Sequence, residues 1–302
     1  MVALDQIDPC FVIGLMVPLR LSDWPMQKSV VAYATIMVCV DFDAAPENRV
    51  RLAAGLADRF GAALIGAASC FPAPPFISGG IAIAPLVTQE TLKQEIALGQ
   101  QDDRFREIVA GARCRIEWRS SIGPADEFLA RQARAADLIV VGGETSAGLP
   151  YASFDAGALL MNAGRPVLMV PNNLERLLAD RVAVAWKDTR EARRALADSL
   201  PFVKLAEKTF VVEVCEQREA DSARRSVSDV VNYLLRHGIR TAVGLVLHEG
   251  GVTDELLRFV RTEQIDLVVA GAYGRNRLGE WVFGGVTRDL LRKSPICCLF
   301  SH

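Results

Sequence analysis

The sequence has few of the residues that carry metal or acid–base chemistry. It contains only three histidines in 302 residues, His237, His248 and His302, and none is spaced from another as metal ligands are. None of the seven cysteines forms a Cys-x-x-Cys pair. No Walker A sequence, dinucleotide-binding Gly-x-Gly-x-x-Gly or Gly-x-Ser-x-Gly elbow follows a predicted strand. These absences disfavour a metalloenzyme, a P-loop NTPase and a serine hydrolase.

Charge of one sign is not in excess either: 34 Lys and Arg face 36 Asp and Glu, a formal net charge of -2. Without a basic field we expect no nucleic-acid partner, and without a cationic amphipathic face no membrane partner. The uncharged stretch from Phe60 to Gln89 contains four prolines and a Gly-Gly pair, which break a membrane-spanning helix. Asp5 and Asp8 stand where a signal peptide carries Lys or Arg. Cysteines within apolar runs are typical of reduced proteins, so we expect a cytoplasmic protein.

Apolar, β-branched runs alternate with segments of helical period, and 51% of the residues are hydrophobic. The predicted strands are Thr35–Val40, Ala63–Cys70, Cys114–Trp118, Leu138–Val141, Pro166–Val170, Val182–Trp186, Thr209–Cys215, Thr241–Leu247, Leu267–Ala270 and Pro295–Phe300. The predicted helices are Pro46–Phe60, Glu90–Ala112, Ala125–Ala136, Arg190–Leu205, Ser222–His237 and Asp254–Glu263. The pattern predicts an α/β fold with two tandem open, parallel, five-stranded sheets that carry helices on both faces.

The two halves of the chain repeat one another. Residues 136–142, ADLIVVG, match residues 265–271, IDLVVAG, at an offset of 129 positions. This self-similarity predicts a tandem duplication. We therefore divide the chain into an N-terminal extension at 1–30, a degenerate domain at 31–172 and a second domain at 180–302.

Two further expectations concern the N-terminus and the sheet edges. Residues 1–25 precede the first repeat, and Met26 stands where a natural start would, so we expect a poorly ordered or peripherally packed extension. The last strand of each half, Pro166–Val170 and Pro295–Phe300, is apolar and expected at a sheet edge. Exposed apolar edges favour pairing, so we expect the two domains to pair through these strands within one chain, and the same edges also offer a surface for self-association.

Signals at two helix starts agree with this organisation. Pro46 fits the first turn of the helix that follows the first strand. Asp188, with Glu191 three residues later, predicts a capping box for the corresponding helix of the second half.

A glycine-rich segment, residues 271–287, follows the fourth strand of the second half. Gly271 and Gly274 permit a tight turn and let a ligand approach bare backbone. Gly284-Gly285 stands at the entry to the last helix, whose unpaired amides favour phosphate oxygens, and Arg275 adds positive charge. The alternative is a glycine-rich turn that closes the fold without a ligand.

This segment, its flanking DLVVAGAYG and the closing RDLLRKSPICCLF resemble the universal stress protein family, specifically its bacterial tandem members, over about residues 33–302. The family motif is G-x-x-G, nine residues, then G-[S/T]. The resemblance implies an adenine nucleotide alpha hydrolase-like, Rossmann-like sheet that holds ATP or AMP between its first and fourth strands, with no well-established catalysis. The implied nucleotide-binding residues are Trp186, Lys187, Gly271, Ala272, Gly274, Arg275, Gly284, Gly285, Val286 and Thr287.

The two halves depart from the family motif in opposite ways. In the second half, Gly285 stands where many members have Ser or Thr, and Lys187 replaces the acidic residue that contacts the nucleoside. The first half keeps Asp41 at the end of its first strand but has Thr145 in place of the second glycine and Asp155 at the last helix. We therefore expect one nucleotide per chain, bound by the second half.

The leading functional hypothesis is a stress-response protein that binds ATP or AMP, with or without Mg²⁺, and acts in signalling or protection without defined catalysis. Trp186 ends a core strand, where packing and base stacking are the alternatives. A slow ATPase is the enzyme alternative. An interaction module that has lost nucleotide binding is the third hypothesis.

Overall fold

The computed structural model describes residues 11–13, 32–40, 46–70, 84–142, 155–247, 251–272, 289–290 and 294–302. The chain divides into two compact units. The first unit is residues 33–177, and the second unit is residues 178–302 together with residues 1–32. The division lies between Leu177 and Leu178, inside the segment that separates the two predicted domains.

The described strands and helices alternate along both units. The strands are β1 (Phe11–Ile13), β2 (Thr35–Cys39), β3 (Ala63–Cys70), β4 (Ile116–Ile122), β5 (Leu138–Gly142), β6 (Val167–Val170), β7 (Arg181–Ala185), β8 (Lys208–Cys215), β9 (Thr241–Leu247), β10 (Leu267–Gly271) and β11 (Cys297–Ser301). The helices are α1 (Pro46–Phe60), α2 (Ala84–Ile108), α3 (Ala125–Gln132), α4 (Ala156–Asn162), α5 (Arg190–Asp198), α6 (Leu200–Leu205), α7 (Ala220–Arg236) and α8 (Val252–Thr262).

Each unit is built on a mainly parallel sheet. In the first unit the strand order is β6-β5-β2-β3-β4, and all four pairings are parallel. In the second unit the order is β1-β9-β8-β7-β10-β11, with the pairings from β9 to β11 parallel. The inner strands β2, β5 and β10 are almost wholly buried, as strands covered on both faces must be.

Helices cover both faces of the second unit's sheet. Phe210 of β8 stacks edge-on against Phe259 of α8, with the ring centroids 5.5 Å apart. Beside β8, the indole of Trp186 donates a hydrogen bond to Ser226 of α7. The predicted α/β class with mostly parallel sheets is confirmed.

The predicted bounds of the helices Glu90–Ala112 and Arg190–Leu205 are wrong. Helix α2 begins at Ala84 rather than Glu90, because Pro85 fits the first turn of a helix, where no backbone donor is needed. The single helix predicted at 190–205 is two helices that meet at Ser199, whose hydroxyl donates to the carbonyl of Leu196 at 2.8 Å. A hydroxyl bonded back to its own turn, followed by Pro201, ends the first of these helices.

The predicted capping box at Asp188 is also wrong. Thr189 is the N-cap residue of α5, and its hydroxyl accepts a hydrogen bond from the Ala192 amide at 3.2 Å. Asp188 instead forms an ion pair with Arg193 at 2.5 Å. Threonine and aspartate are both good caps, so the sequence alone does not decide between neighbours.

The N-terminal segment contributes one strand to the second unit. Strand β1 pairs antiparallel with β9, with Phe11 opposite Val246 and Ile13 opposite Gly244. The sequence did not predict this pairing. It adds an antiparallel strand beside a parallel sheet, a common arrangement in α/β proteins.

Within the described parts of the chain, no helix is both long enough and apolar enough to span a membrane.

Candidate functional site

The candidate site lies at the carboxyl ends of β7 and β10 in the second unit. These strands are neighbours, with Ala185 level with Ala270, and the sheet extends from β7 through β8 and from β10 through β11. The strands that follow β7 in sequence are added first on one side of it and then, from β10, on the other. Such a topological switch point is the usual ligand crevice of an open α/β sheet. Four of the ten predicted site residues are described: Trp186, Lys187, Gly271 and Ala272. The other six lie outside the described residues: Gly274, Arg275, Gly284, Gly285, Val286 and Thr287.

Gly271, the last residue of β10, is packed against the first turn of α5. A Cβ atom at this position would lie 2.6 Å from the carbonyl carbon of Glu191 and 2.9 Å from the Cα of Ala192. Both distances are shorter than packed atoms allow. The absence of a side chain therefore brings the N-terminal turn of α5 directly against the end of β10. This requirement exists whether or not a ligand binds.

Ala272 follows Gly271 and has its backbone groups engaged within the protein. Its amide donates to the carbonyl of Ser301 at 2.8 Å, and its carbonyl lies 3.1 Å from Nδ1 of His302. Its side chain is fully buried. Ala272 thus shapes the end of the strand and offers no free amide to a phosphate.

Trp186 continues β7 beyond its last ladder residue. Its amide donates to the carbonyl of Val212 at 2.7 Å, and its indole Nε1 donates to Ser226 Oγ at 2.8 Å. The side chain is 6% exposed. These contacts favour the packing alternative for Trp186 over stacking on a base.

Charged groups are concentrated in the turn from β7 to α5. Lys187 is exposed, and no ion pair joins it to another described residue. The neighbouring cations are paired: Arg193 with Asp188, and Arg190 with the buried Glu191 at 3.2 Å. Lys187 is therefore the cation of this turn that is best placed to attract an anion.

Glu213 on β8 is a site residue that the sequence analysis missed. It is 9% exposed, and its Oε2 atom is buried without a hydrogen-bond partner among the described residues. Burial raises the pKa of Glu213, the charge of Lys187 lowers it, and the charges of Asp188 and Glu219 raise it further. The signal in the sequence was a single carboxylate inside the apolar run Thr209–Cys215.

The matching edge of the first unit is filled by its own side chains. Arg49 of α1 is 5% exposed, and its guanidinium occupies the space where a Cβ of Gly142 would lie. Asp155 caps α4, with Oδ1 accepting the amides of Gly157 at 2.8 Å and Ala158 at 3.1 Å. The amides that a phosphate would need at this helix are thus bonded to a carboxylate.

No group of three or more His, Cys, Asp or Glu side chains in the described ranges is arranged to hold a metal ion.

Comparison with known proteins gives a family match for part of the chain and a fold. Residues 179–301 match the model of the universal stress protein family. A universal stress protein from Archaeoglobus fulgidus DSM 4304 has a TM-score of 0.65 at 16% identity, covering 88% of this chain and 95% of that one. A universal stress protein of Pseudomonas aeruginosa UCBPP-PA14, described as putative, has a TM-score of 0.55 at 17% identity, covering 89% and 93%. These likenesses show the fold.

A shorter likeness concerns a universal stress protein in complex with cAMP. It is 29% identical, covers 46% of this chain and 97% of that one, and has a TM-score of 0.33. No curated protein matches the chain.

Proposed function

We propose that this chain is a stress-response protein that binds one adenine nucleotide, ATP or AMP, in its second unit, because residues 179–301 match the model of the universal stress protein family. The role is signalling or protective, without defined catalysis. The observation that carries the proposal is the contrast between the two sheet edges: side chains of Arg49 and Asp155 occupy the first, whereas at the second the backbone of α5 lies against Gly271 and Lys187 is exposed.

The described part of the second edge suits the phosphate end of a nucleotide. Gly271 lets the first turn of α5 lie against the end of β10. Helix N-termini and exposed cations both stabilise phosphate charge, and Lys187 supplies a cation at the same turn. In the proposal, Gly274, Gly284-Gly285 and Arg275 complete this cradle.

The first unit is proposed to bind no nucleotide. Asp155 already accepts the first amides of α4, so a phosphate would have to displace a carboxylate. A carboxylate that stays in place repels phosphate, more strongly as water is excluded. The buried guanidinium of Arg49 fills the space beside Gly142 at the end of β5.

The proposal includes a cytoplasmic location. The six described cysteines are all thiols, and four of them are buried. A reducing compartment maintains thiols in this state.

Native mass spectrometry of the gently purified full chain tests the function. We expect a mass increase that corresponds to one ATP, ADP or AMP per chain, and saturable binding of ATP and AMP by calorimetry with and without Mg²⁺. Release of ADP from ATP over hours favours the slow ATPase. Absence of bound and added nucleotide favours the interaction module and contradicts the proposal.

A further inference from the structure

Glu213 is a buried acid at the same edge of the second unit, and no structural role explains its charge. Its side chain is 9% exposed, and Oε2 has no hydrogen-bond partner among the described residues. Lys187 influences Glu213 electrostatically but forms no described ion pair with it. A buried, unpartnered carboxylate oxygen destabilises a fold, and groups of this kind cluster at functional sites.

The sheet places Glu213 beside the end of β7. Val212 is level with Ala185 in the β7–β8 ladder, and its carbonyl accepts the amide of Trp186. Glu213 is the next residue on β8, and its side chain lies on the face opposite Phe210, because side chains alternate along a strand. Phe210 packs on α8, so Glu213 lies on the face opposite that helix.

The distance across the sheet fits the length of a nucleotide. Strands β8 and β10 flank β7 on opposite sides, and neighbouring strands are about 4.8 Å apart. Glu213 is therefore about 10 Å from the end of β10, where Gly271 faces the first turn of α5. A mononucleotide with its phosphate at β10 reaches β8 with its base.

The chemistry of the group limits what it can bind. An ionised carboxylate only accepts hydrogen bonds, so its partner must be a donor. No described cluster of ligands makes this a metal site. In an adenine nucleotide whose phosphate lies at β10, the base is the part that reaches β8. The hydrogen-bond donor that an adenine base presents is its 6-amino group.

We infer that Glu213 is a specificity-determining residue of the nucleotide site and that it accepts a hydrogen bond from the exocyclic amino group of the base. This inference rests on the proposed function, because it gives the base end of the nucleotide that the second unit binds. The test compares AMP with purine riboside 5′-monophosphate, which lacks only the 6-amino group, by calorimetry on the full chain.

The wild-type protein should bind AMP about tenfold to a hundredfold more tightly than purine riboside 5′-monophosphate, as expected for one hydrogen bond to a charged acceptor. Glu213→Leu removes the acceptor and should bring the two affinities within about twofold. Glu213→Gln keeps a neutral acceptor of the same shape and should retain a preference of about two- to tenfold. It also reports on the site if the leucine variant does not fold.

Glu216→Leu is the matched control. Glu216 lies three residues further along, is exposed, and pairs with Arg218 at 2.8 Å. This variant should keep the full preference for AMP.

Four results would overturn the inference, and only the last of them also overturns the proposed function. Equal affinities in the wild type, or a preference that survives in Glu213→Leu, reject the role of Glu213 and leave nucleotide binding in place. A preference lost equally in Glu216→Leu rejects it as well. Failure of the wild type to bind either nucleotide rejects the proposed function and this inference together.

Discussion

The carboxylate of Asp266 accepts the backbone amide of Arg181 at 3.1 Å, and it accepts the amide of Asp180 at 2.9 Å, thereby fixing the start of β7. In the first unit, Asp137 accepts the amides of Ala34 and Thr35 at 2.9 and 3.0 Å. The two aspartates are 129 residues apart, the offset at which the sequence repeats. One carboxylate therefore makes the same pair of bonds in each unit, which supports a duplication.

Asp266→Ala should destabilise the second unit by about 1–3 kcal/mol, because two backbone donors lose their acceptor. Asp137→Ala should have a similar effect on the first unit. Urea unfolding followed by tryptophan fluorescence and circular dichroism measures both. Asp229→Ala, at an exposed position of α7, is the control and should change the free energy of unfolding by less than about 0.5 kcal/mol. Equal effects in all three variants contradict the structural role of the pair.

Gly271→Ala should destabilise the chain by about 1–3 kcal/mol even without nucleotide, because the new Cβ would overlap the first turn of α5. Gly55→Ala is the matched control in the interior of α1, where a Cβ meets nothing within 4 Å. It should stabilise by about 0.5–1 kcal/mol through helix propensity. Thermal and urea unfolding of the nucleotide-free proteins decide the matter. If Gly271→Ala is as stable as the wild type, the close packing of α5 on β10 is wrong.

The sequence predicts the strands best where apolar residues cover both faces. The ends of β3 coincide with the predicted ends, because burial on both faces leaves a continuous apolar run. Strand β4 extends to Ile122, beyond the predicted end at Trp118. Three of its four added residues, Arg119, Ser120 and Ser121, are polar. Among the described strands β4 pairs only with β3, and polar side chains are tolerated in a strand with an unpaired edge.

The site is less predictable than the fold, because it depends on contacts between distant segments. From the sequence, Gly271 is predicted to let a phosphate come close to the backbone. Only the structure shows that the backbone of α5 already lies against Gly271. Glu213 was not predicted as a site residue, because a strand is predicted from the average propensity of about seven residues. A single acidic residue among them changes that average little. Its importance follows from burial beside Lys187.

Glu213→Gln should stabilise the chain at pH 8 by on the order of 1 kcal/mol, because it removes a buried charge with an unpartnered oxygen. Burial raises the pKa of Glu213 above its ordinary value of 4.5, so the folded wild type takes up a proton more readily than the unfolded chain. The wild type therefore loses stability as the pH rises through the pKa of the folded state, whereas the variant does not. The difference should vanish near pH 4. Unfolding by urea from pH 4 to pH 8 measures it, with Glu216→Gln as an exposed control; a difference independent of pH contradicts the prediction.

Deletion of residues 1–25 should lower the melting temperature by no more than about 5 °C. The deletion removes β1, which pairs through three residues with one edge of the second unit's sheet. The parallel strands and their helices remain. Differential scanning calorimetry compares the two proteins. Loss of solubility or of cooperative unfolding after the deletion contradicts a peripheral role for the segment.

Nucleotide stoichiometry gives the sharpest test of the asymmetry between the two units. One ATP or AMP should bind per chain, because Asp155 and Arg49 fill the edge of the first unit. In the proposal the backbone at Gly274 approaches phosphate, so the side chain added by Gly274→Val should remove two charged hydrogen bonds and weaken affinity at least about a hundredfold. Thr145→Val changes the corresponding position of the first unit and should leave affinity within about twofold.

Asp41→Ala, at the end of the first unit's first predicted strand, should also leave affinity nearly unchanged, since the proposal gives that unit no nucleotide. Calorimetric titration of ATP and AMP against the wild type and the three variants measures affinity and stoichiometry together. A stoichiometry of two, or binding lost with Asp41→Ala or Thr145→Val but kept with Gly274→Val, would assign the nucleotide to the first unit. The filled edge described here would then have to open, with Arg49 leaving the space beside Gly142.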